Sequence, residues 1–398
     1  MLTSLAFIFL LGFLLSSIFQ KIKLPGLLGM LITGILLGPY ALNLLDHKIL
    51  TISPDLRQLA LVIILTRAGL NLDIGELKKV GRPAVLMCFV PACFEILGIL
   101  ILAPRLLNIS LLEAAIMGTV LAAVSPAVIV PRMIKLMEEG YGTKKGIPGL
   151  ILAGASVDDV FVIVLFTAFT SLAAGNQVAA GDFISIPVSI VVGLFVGVIL
   201  GLFLSFLFQK IHMRDSAKVI ILLGISFLLI ELEKQLKSIL PLSGLLAIMT
   251  MGVALYKSYP VLAKRIATKF NQLWVAAEII LFVLVGATVD IRYAVNAGVL
   301  SAVVVLGALV FRMAGVFICL LKTELTLKER FFCMLAYLPK ATVQAAIGTI
   351  PLSMGLSCGK SVLTIAVLSI IITAPLGAFL IDFSYPRLLH KENSPHRK

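Results

Sequence analysis

Charge is what this chain has least of. Only 13% of its 398 residues are Asp, Glu, Lys or Arg, against 60% hydrophobic residues and a mean hydropathy of +1.12. No soluble domain of this length is that apolar, so the bilayer has to serve as solvent. Long polar stretches are missing too. Apolar runs of roughly 20 residues, enough to cross about 30 Å of hydrocarbon, follow one another with short polar links, which leaves no room for a sizeable soluble domain. Cysteines are few: Cys88, Cys93, Cys319, Cys333 and Cys358 fall in apolar segments without the paired spacing of a metal or redox site. The apolar segments hold no histidine, since His47, His212, His390 and His396 lie in links or the tail. A proton carrier at mid-membrane must therefore be a carboxylate. The first segment lacks a basic n-region and an A-x-A cleavage pattern, and reads as a retained helix. No cofactor is called for.

What is present is an excess of positive charge, +13 overall. In a membrane protein this reads as topology rather than as a nucleic-acid partner, because Lys and Arg collect in cytoplasmic links. Thirteen spans are expected, approximately at 2-20, 25-45, 56-72, 81-106, 111-134, 147-175, 183-211, 217-233, 237-256, 272-290, 295-321, 329-355 and 361-384. With links assigned alternately to two sides, one side receives 23 Lys and Arg and the other 7, while Arg67, Arg312 and Lys340 lie within spans. That bias predicts an N-terminus outside and a cytoplasmic C-terminal tail, 385-398.

The chain also matches itself. Slid along itself so that Ala68 meets Val285, AGLNLDIGELKKVG (68-81) aligns with VGATVDIRYAVNAG (285-298) through Gly69/Gly286, Asp73/Asp290, Ile74/Ile291 and Gly81/Gly298. FEILG (94-98) meets FRMAG (311-315) at the same offset, and PGLLGMLITG (25-34) meets SGLLAIMTMG (243-252) with the offset lengthened by a single position. Two six-helix repeats, 1-175 and 217-384, are expected, joined by a linker helix at 183-211. The odd number of spans between equivalent positions makes the repeats inverted, the plan in which a transporter's site sits near the midplane on broken helices. The breaks are expected at TVLAAVSPAVIVPRM (119-133), with Pro126 and Pro131, and at LAYLPKATVQAAIG (335-348), with Pro339 beside Lys340. Proline removes a backbone donor and frees carbonyls that can face an ion.

Ionisable side chains at membrane depth are costly and point to function or to a partner. Here they are Arg67, Glu95, Asp158, Asp159, Glu278, Arg312 and Lys340. Glu95 and Arg312 are separated by that same repeat offset, hence equivalent, and are expected to meet as an ion pair, structural or coupling. Arg67 and Glu278, on equivalent helices, pair or snorkel. That leaves Asp158, Asp159 and Lys340. Adjacent helical residues point about 100° apart, so the two aspartates have different jobs. One faces a cavity, and the other faces Lys340 or helix-terminal amides. A carboxylate that binds either H⁺ or a hard cation, exposed alternately to each side, is by itself an exchange mechanism.

GASVDDV (154-160), SPAVIVP (125-131), LPKATVQAAIG (338-348) and LTRAGLNLD (65-73) together resemble the cation/proton antiporter superfamily, in particular its NHA-type sodium/proton branch, along the whole chain. The resemblance implies an all-α polytopic fold with two broken crossing helices and a homodimer in the cell membrane (the inner membrane if bacterial). It implies a core domain, 81-175 and 295-384, moving as an elevator against a dimerisation domain, 1-72 and 217-290. It implies exchange of Na⁺ or Li⁺ for H⁺ at Asp159, with Asp158 as neighbour and Ser125, Pro126, Thr119, Pro339 and Lys340 as a supporting ion site. Two departures stand out: Arg312 replaces the lysine of electrogenic relatives, and Ser125 replaces an acidic residue found in some exchangers. An electroneutral stoichiometry follows if Glu95 engages Arg312. The competing functions are K⁺/H⁺ antiport, sodium-coupled solute symport, intramembrane aspartyl proteolysis and a non-transporting sensor. Consecutive aspartates on one helix fit a protease dyad poorly.

Overall fold

The computed structural model describes residues 1–72, 81–174, 180–236 and 242–391. The matches at Asp73 and Ile74, the link lysines Lys78 and Lys79, and the tail from Glu392 lie outside them. Among the described residues the chain is helical with no strand, apart from one isolated bridge between Tyr141 and Lys391. Nine of the described helices are long and apolar enough to cross a membrane, with two shorter apolar helices beside them.

The chain divides into two compact units, one of 1–51, 75–162 and 282–398 and one of 52–74 and 163–281. The helices in chain order are α1 Leu2–Lys21, α2 Gly26–Leu37, α3 His47–Asn71, α4 Arg82–Met87, α5 Val90–Leu107, α6 Leu111–Ala122, α7 Pro126–Glu139, α8 Ile147–Ala174 and α9 Ala180–Lys210. They continue as α10 Asp215–Leu236, α11 Gly244–Ser258, α12 Pro260–Ala287, α13 Ile291–Cys319, α14 Leu327–Ala336, α15 Thr342–Ile347, α16 Ile350–Ser353 and α17 Gly359–Leu388.

In the first unit α5 packs along α13 and against α6, while α17 packs on α13 and α14. In the second, α11 lies between α9 and α10. Lipid offers no hydrophobic drive for helix association, so small residues that let backbones approach are the means of packing. A Cβ on Gly34 would strike the backbone of Val283 and Ala287, and one on Gly252 would strike that of Gly69. Gly34 and Gly252 end the matched stretches 25-34 and 243-252, and Gly69 is the match of Gly286, so the two close approaches obey the same repeat as the sequence.

Each break occurs at an expected proline, Pro126 and Pro339, whereas Pro131 lies inside α7 without breaking it. The first separates α6 from α7, with Pro126 opening α7, and the second separates α14 from α15 around Pro339. The segment before each break starts with a capping box, Ser110 with Glu113 on α6 and Thr326 with Glu329 on α14. Each capping glutamate is held from a distant link: Ser357 Oγ donates to Glu113 at 2.6 Å, and Lys145 Nζ donates to Glu329 at 2.8 Å.

Helix ends differ from the expected spans in a consistent way. α12 starts at Pro260 rather than near 272, and α3 at His47 rather than near 56. Hydropathy locates only the part that lipid can surround. The first turns of α12 are amphipathic, with Leu262, Ala263, Ile266, Ala267 and Phe270 buried and Lys264, Arg265 and Lys269 exposed, so the helix continues beyond the apolar run. α2 ends early, at Leu37, because Gly38 and Pro39 follow.

Candidate functional site

A helix broken in mid-membrane leaves amides and carbonyls without helical partners, and lipid cannot supply replacements. In the first unit the two breaks satisfy one another. The Ser125 amide donates to the Pro339 carbonyl at 2.8 Å. Gln344 Nε2 donates to the carbonyls of Leu121 and Ala123 at 3.3 and 2.8 Å, while its Oε1 accepts the Ala341 amide at 2.8 Å. The Lys340 amide donates to Thr373 Oγ1 at 2.9 Å. The Val124 amide donates to Asp158 Oδ2 at 2.9 Å.

Arg312 ties this backbone to the acids. Its Nε donates to the Tyr337 carbonyl at 2.7 Å, one terminal nitrogen donates to Glu95 Oε2 at 2.7 Å and to the Ala122 carbonyl, and the other donates to Asp158 Oδ2 at 2.8 Å. The guanidinium also lies 5.3 Å from the Tyr337 ring centroid. Charge-assisted bonds of this kind are about twice as strong as neutral ones, and a buried cation requires them.

Lys340 is placed differently from the expectation. Its ammonium donates to Glu95 Oε2 at 2.6 Å, so it is the second cation on Glu95 rather than the hydrogen-bonded counter-charge of Asp158. The reason is the break itself: Lys340 leaves the chain on a non-helical stretch whose amide is fixed to Thr373, and Arg312 already occupies Asp158 Oδ2.

Asp159 shares none of this. It is 8% exposed, and its Oδ1 has no hydrogen-bond partner among the described residues. Three further buried oxygens in this unit, Asp158 Oδ1, Ser125 Oγ and the Tyr337 hydroxyl, also lack one among the described residues. Thr119 is fully buried, but its hydroxyl donates to the Ile116 carbonyl of its own helix at 2.8 Å. With all groups ionised, three carboxylates, Glu95, Asp158 and Asp159, face two cations, Arg312 and Lys340, which leaves one negative charge. Arg67 and Glu278 lie in the second unit, where they interact electrostatically and Arg67 sits 6.0 Å from the Trp274 ring centroid.

Sequence reasoning passed over four residues of this arrangement. Gln344 and Thr373 are polar side chains at membrane depth, which was a usable signal. Tyr337 and Gly154 gave none: a Cβ on Gly154 would collide with the Tyr337 hydroxyl, so glycine makes room for the ring that underlies Arg312.

Comparison with known proteins gives a consistent result. Residues 5–383 match the family described as "Sodium/hydrogen exchanger, transmembrane". The chain is 35% identical to sodium/hydrogen exchanger 9B2 of Homo sapiens over 386 residues, 92% of this chain and 70% of that protein. It is 32% identical to sodium/hydrogen exchanger 9B1 of Mus musculus over 406 residues, covering 97% and 71%. Its fold is similar to that of the sodium proton antiporter MjNhaP1 from Methanocaldococcus jannaschii, with a TM-score of 0.84 at 21% identity over 97% of this chain and 98% of the other.

Proposed function

The chain belongs to the sodium/hydrogen exchanger family, and on that premise we propose that it exchanges Na⁺ for H⁺ across a membrane by alternating occupancy of Asp159. The observation that carries this reading is the contrast between neighbours. Asp158 is tied to Arg312 and the Val124 amide through Oδ2, with only its Oδ1 open, whereas Asp159 is buried, pairs with no cation among the described residues and keeps Oδ1 open to a proton or a cation. Both cannot bind at once, and that exclusion couples the two fluxes. Ser125, whose buried hydroxyl also lacks a partner, is a neutral candidate for an additional oxygen ligand on the break.

The charge balance supports a one-for-one stoichiometry. One H⁺ or one Na⁺ on Asp159 brings the five-residue cluster to neutrality in either case. If the loaded core carries the same charge in both directions, a membrane potential does no net work on the cycle, where each uncompensated charge would feel about 2.3 kcal/mol per 100 mV. The exchange is thus one for one and electroneutral. In the elevator reading, 81-175 and 295-384 carry the site and move against 1-72 and 217-290, which form a homodimer, with the N-terminus outside and the C-terminus cytoplasmic.

The test is ion-driven pH change in proteoliposomes given Na⁺, Li⁺ or K⁺. The wild type is expected to respond to Na⁺ and Li⁺, and Asp159→Asn to neither. A full response in that variant, or a response to K⁺ in preference to Na⁺, would sink the assignment of site or of ion respectively.

A further inference from the structure

We infer that Tyr337 is a positioning residue of the exchange site: its hydroxyl, through one bridging water, hydrogen-bonds the open Oδ1 of Asp158 and so sets how firmly the transported cation is held. The inference rests on the reading of Asp158 and Asp159 as that site. Tyr337 is fully buried, and its hydroxyl has no hydrogen-bond partner among the described residues. Support of Arg312 does not require that oxygen. The ring lies under the guanidinium, and the Tyr337 carbonyl accepts from Arg312 Nε, so a phenylalanine would serve Arg312 as well. A buried hydroxyl left unpaired costs stability, and this one therefore calls for a partner.

Its position identifies the partner. The hydroxyl fills the place that a side chain at Gly154 would take, since a Cβ there would collide with it and lie 2.9 Å from Met87 Cβ. Gly154 and Asp158 stand one turn apart on the same face of α8, where Cβ positions are about 5–6 Å from each other. Side chains on a helix lean toward its N-terminus, which carries the Asp158 carboxylate over the turn of Gly154. Oδ2 of that carboxylate is taken by Arg312 and the Val124 amide, so Oδ1 is the oxygen left for the phenol. A gap of about one turn is too wide for a direct hydrogen bond and suits two bonds of about 2.8 Å in series. A water between them has a donor in the phenol, an acceptor in the carboxylate and a third place for the cation. Asp159 points about 100° away on the helix, so the phenol acts on the cation and not on the proton of Asp159.

The test is exchange by the full chain in proteoliposomes, with KM for Na⁺ and Li⁺ measured across pH beside thermal melts, for wild type, Tyr337→Phe, Gly154→Ala and Asp159→Asn. Tyr337→Phe keeps the ring under Arg312 and removes only the oxygen. Its KM is expected to rise about two- to tenfold, the worth of one neutral hydrogen bond, and by the same factor at every pH. Its kcat should be retained and its Tm should equal or exceed that of the wild type. A wild-type KM overturns the inference, as does a loss of kcat and Tm at unchanged KM, which is what a merely structural role would give. Gly154→Ala pushes the hydroxyl from its place and is expected to raise KM too, with no further rise when Tyr337→Phe is added. If Tyr337→Phe does not fold, an unchanged KM in Gly154→Ala overturns the inference independently. Full exchange by Asp159→Asn overturns the site itself, whereas an inactive Asp159→Asn beside a wild-type KM in Tyr337→Phe overturns the role of the phenol alone.

Discussion

Asp158 and Asp159 are adjacent in sequence and differ in partnership: Asp158 Oδ2 accepts from Arg312 at 2.8 Å and from the Val124 amide at 2.9 Å while its Oδ1 stays open, and Asp159 pairs with no cation among the described residues. The turn of about 100° between neighbours on a helix lets the two carboxylates face different partners, and it is Asp158 that meets the Val124 amide and Arg312.

The first prediction separates the two by stability. Asp158→Asn removes a charge from a buried pair and leaves Arg312 undercompensated, at a cost of about 3–5 kcal/mol. Asp159→Asn loses no hydrogen bond of Oδ1 and is expected to melt at or above the wild-type temperature while abolishing exchange. Circular dichroism melts of both variants beside the transport assay check this.

Electroneutrality predicts that exchange in proteoliposomes does not respond when valinomycin and K⁺ gradients impose a potential. A wild-type voltage response that persists in Arg312→Ala would remove that arginine from coupling altogether.

Gln344 holds both breaks together through three hydrogen bonds. Gln344→Ala strands the Ala341 amide and two carbonyls, and is expected to cost about 1–3 kcal/mol or more and to slow exchange. Gln344→Glu keeps the acceptor for Ala341 but loses the donor to Leu121 and Ala123. It is expected to fall below wild type in the same melt.

The two capping glutamates differ in their latches. Lys145→Met leaves the buried Glu329 without its ammonium and is expected to destabilise by about 1–3 kcal/mol, whereas Ser357→Ala at Glu113 costs about 0.5–1.5 kcal/mol. Lys145 is 32% exposed, so high salt should narrow the first difference and leave the second unchanged. Melts of both variants at low and high NaCl read this out.

Gly154→Ala forces a methyl onto the Tyr337 hydroxyl and Met87, overpacking a core position by about 1–3 kcal/mol. Adding Tyr337→Phe removes the colliding oxygen and should recover part of that loss, measured as a non-additive double-mutant cycle.

Much of the fold was legible from hydropathy and repeats, because a span must be apolar along its length and a break at membrane depth needs proline or glycine. Helix ends such as Pro260 and His47 were not, since a helix that continues into water carries no hydropathy mark. The Glu95–Arg312 contact was readable from the repeat offset, because α5 and α13 are equivalent helices. Whether an aspartate would face Lys340 or helix-terminal amides stayed open for the opposite reason: Lys340 stands on a non-helical stretch, where periodicity gives no direction to a side chain, and it is the Val124 amide that meets Asp158.

By itself the sequence determined that the chain lives in a bilayer, that its spans break at Pro126 and Pro339, and that a small set of charges is buried there, since each is a statement about composition or local backbone chemistry. Only the tertiary structure decided which carboxylate goes unpaired. Arg312 and Lys340 have three buried acids to choose from in the first unit, and the choice depends on where two broken helices present their amides and carbonyls. That is a property of packing, which no local pattern encodes.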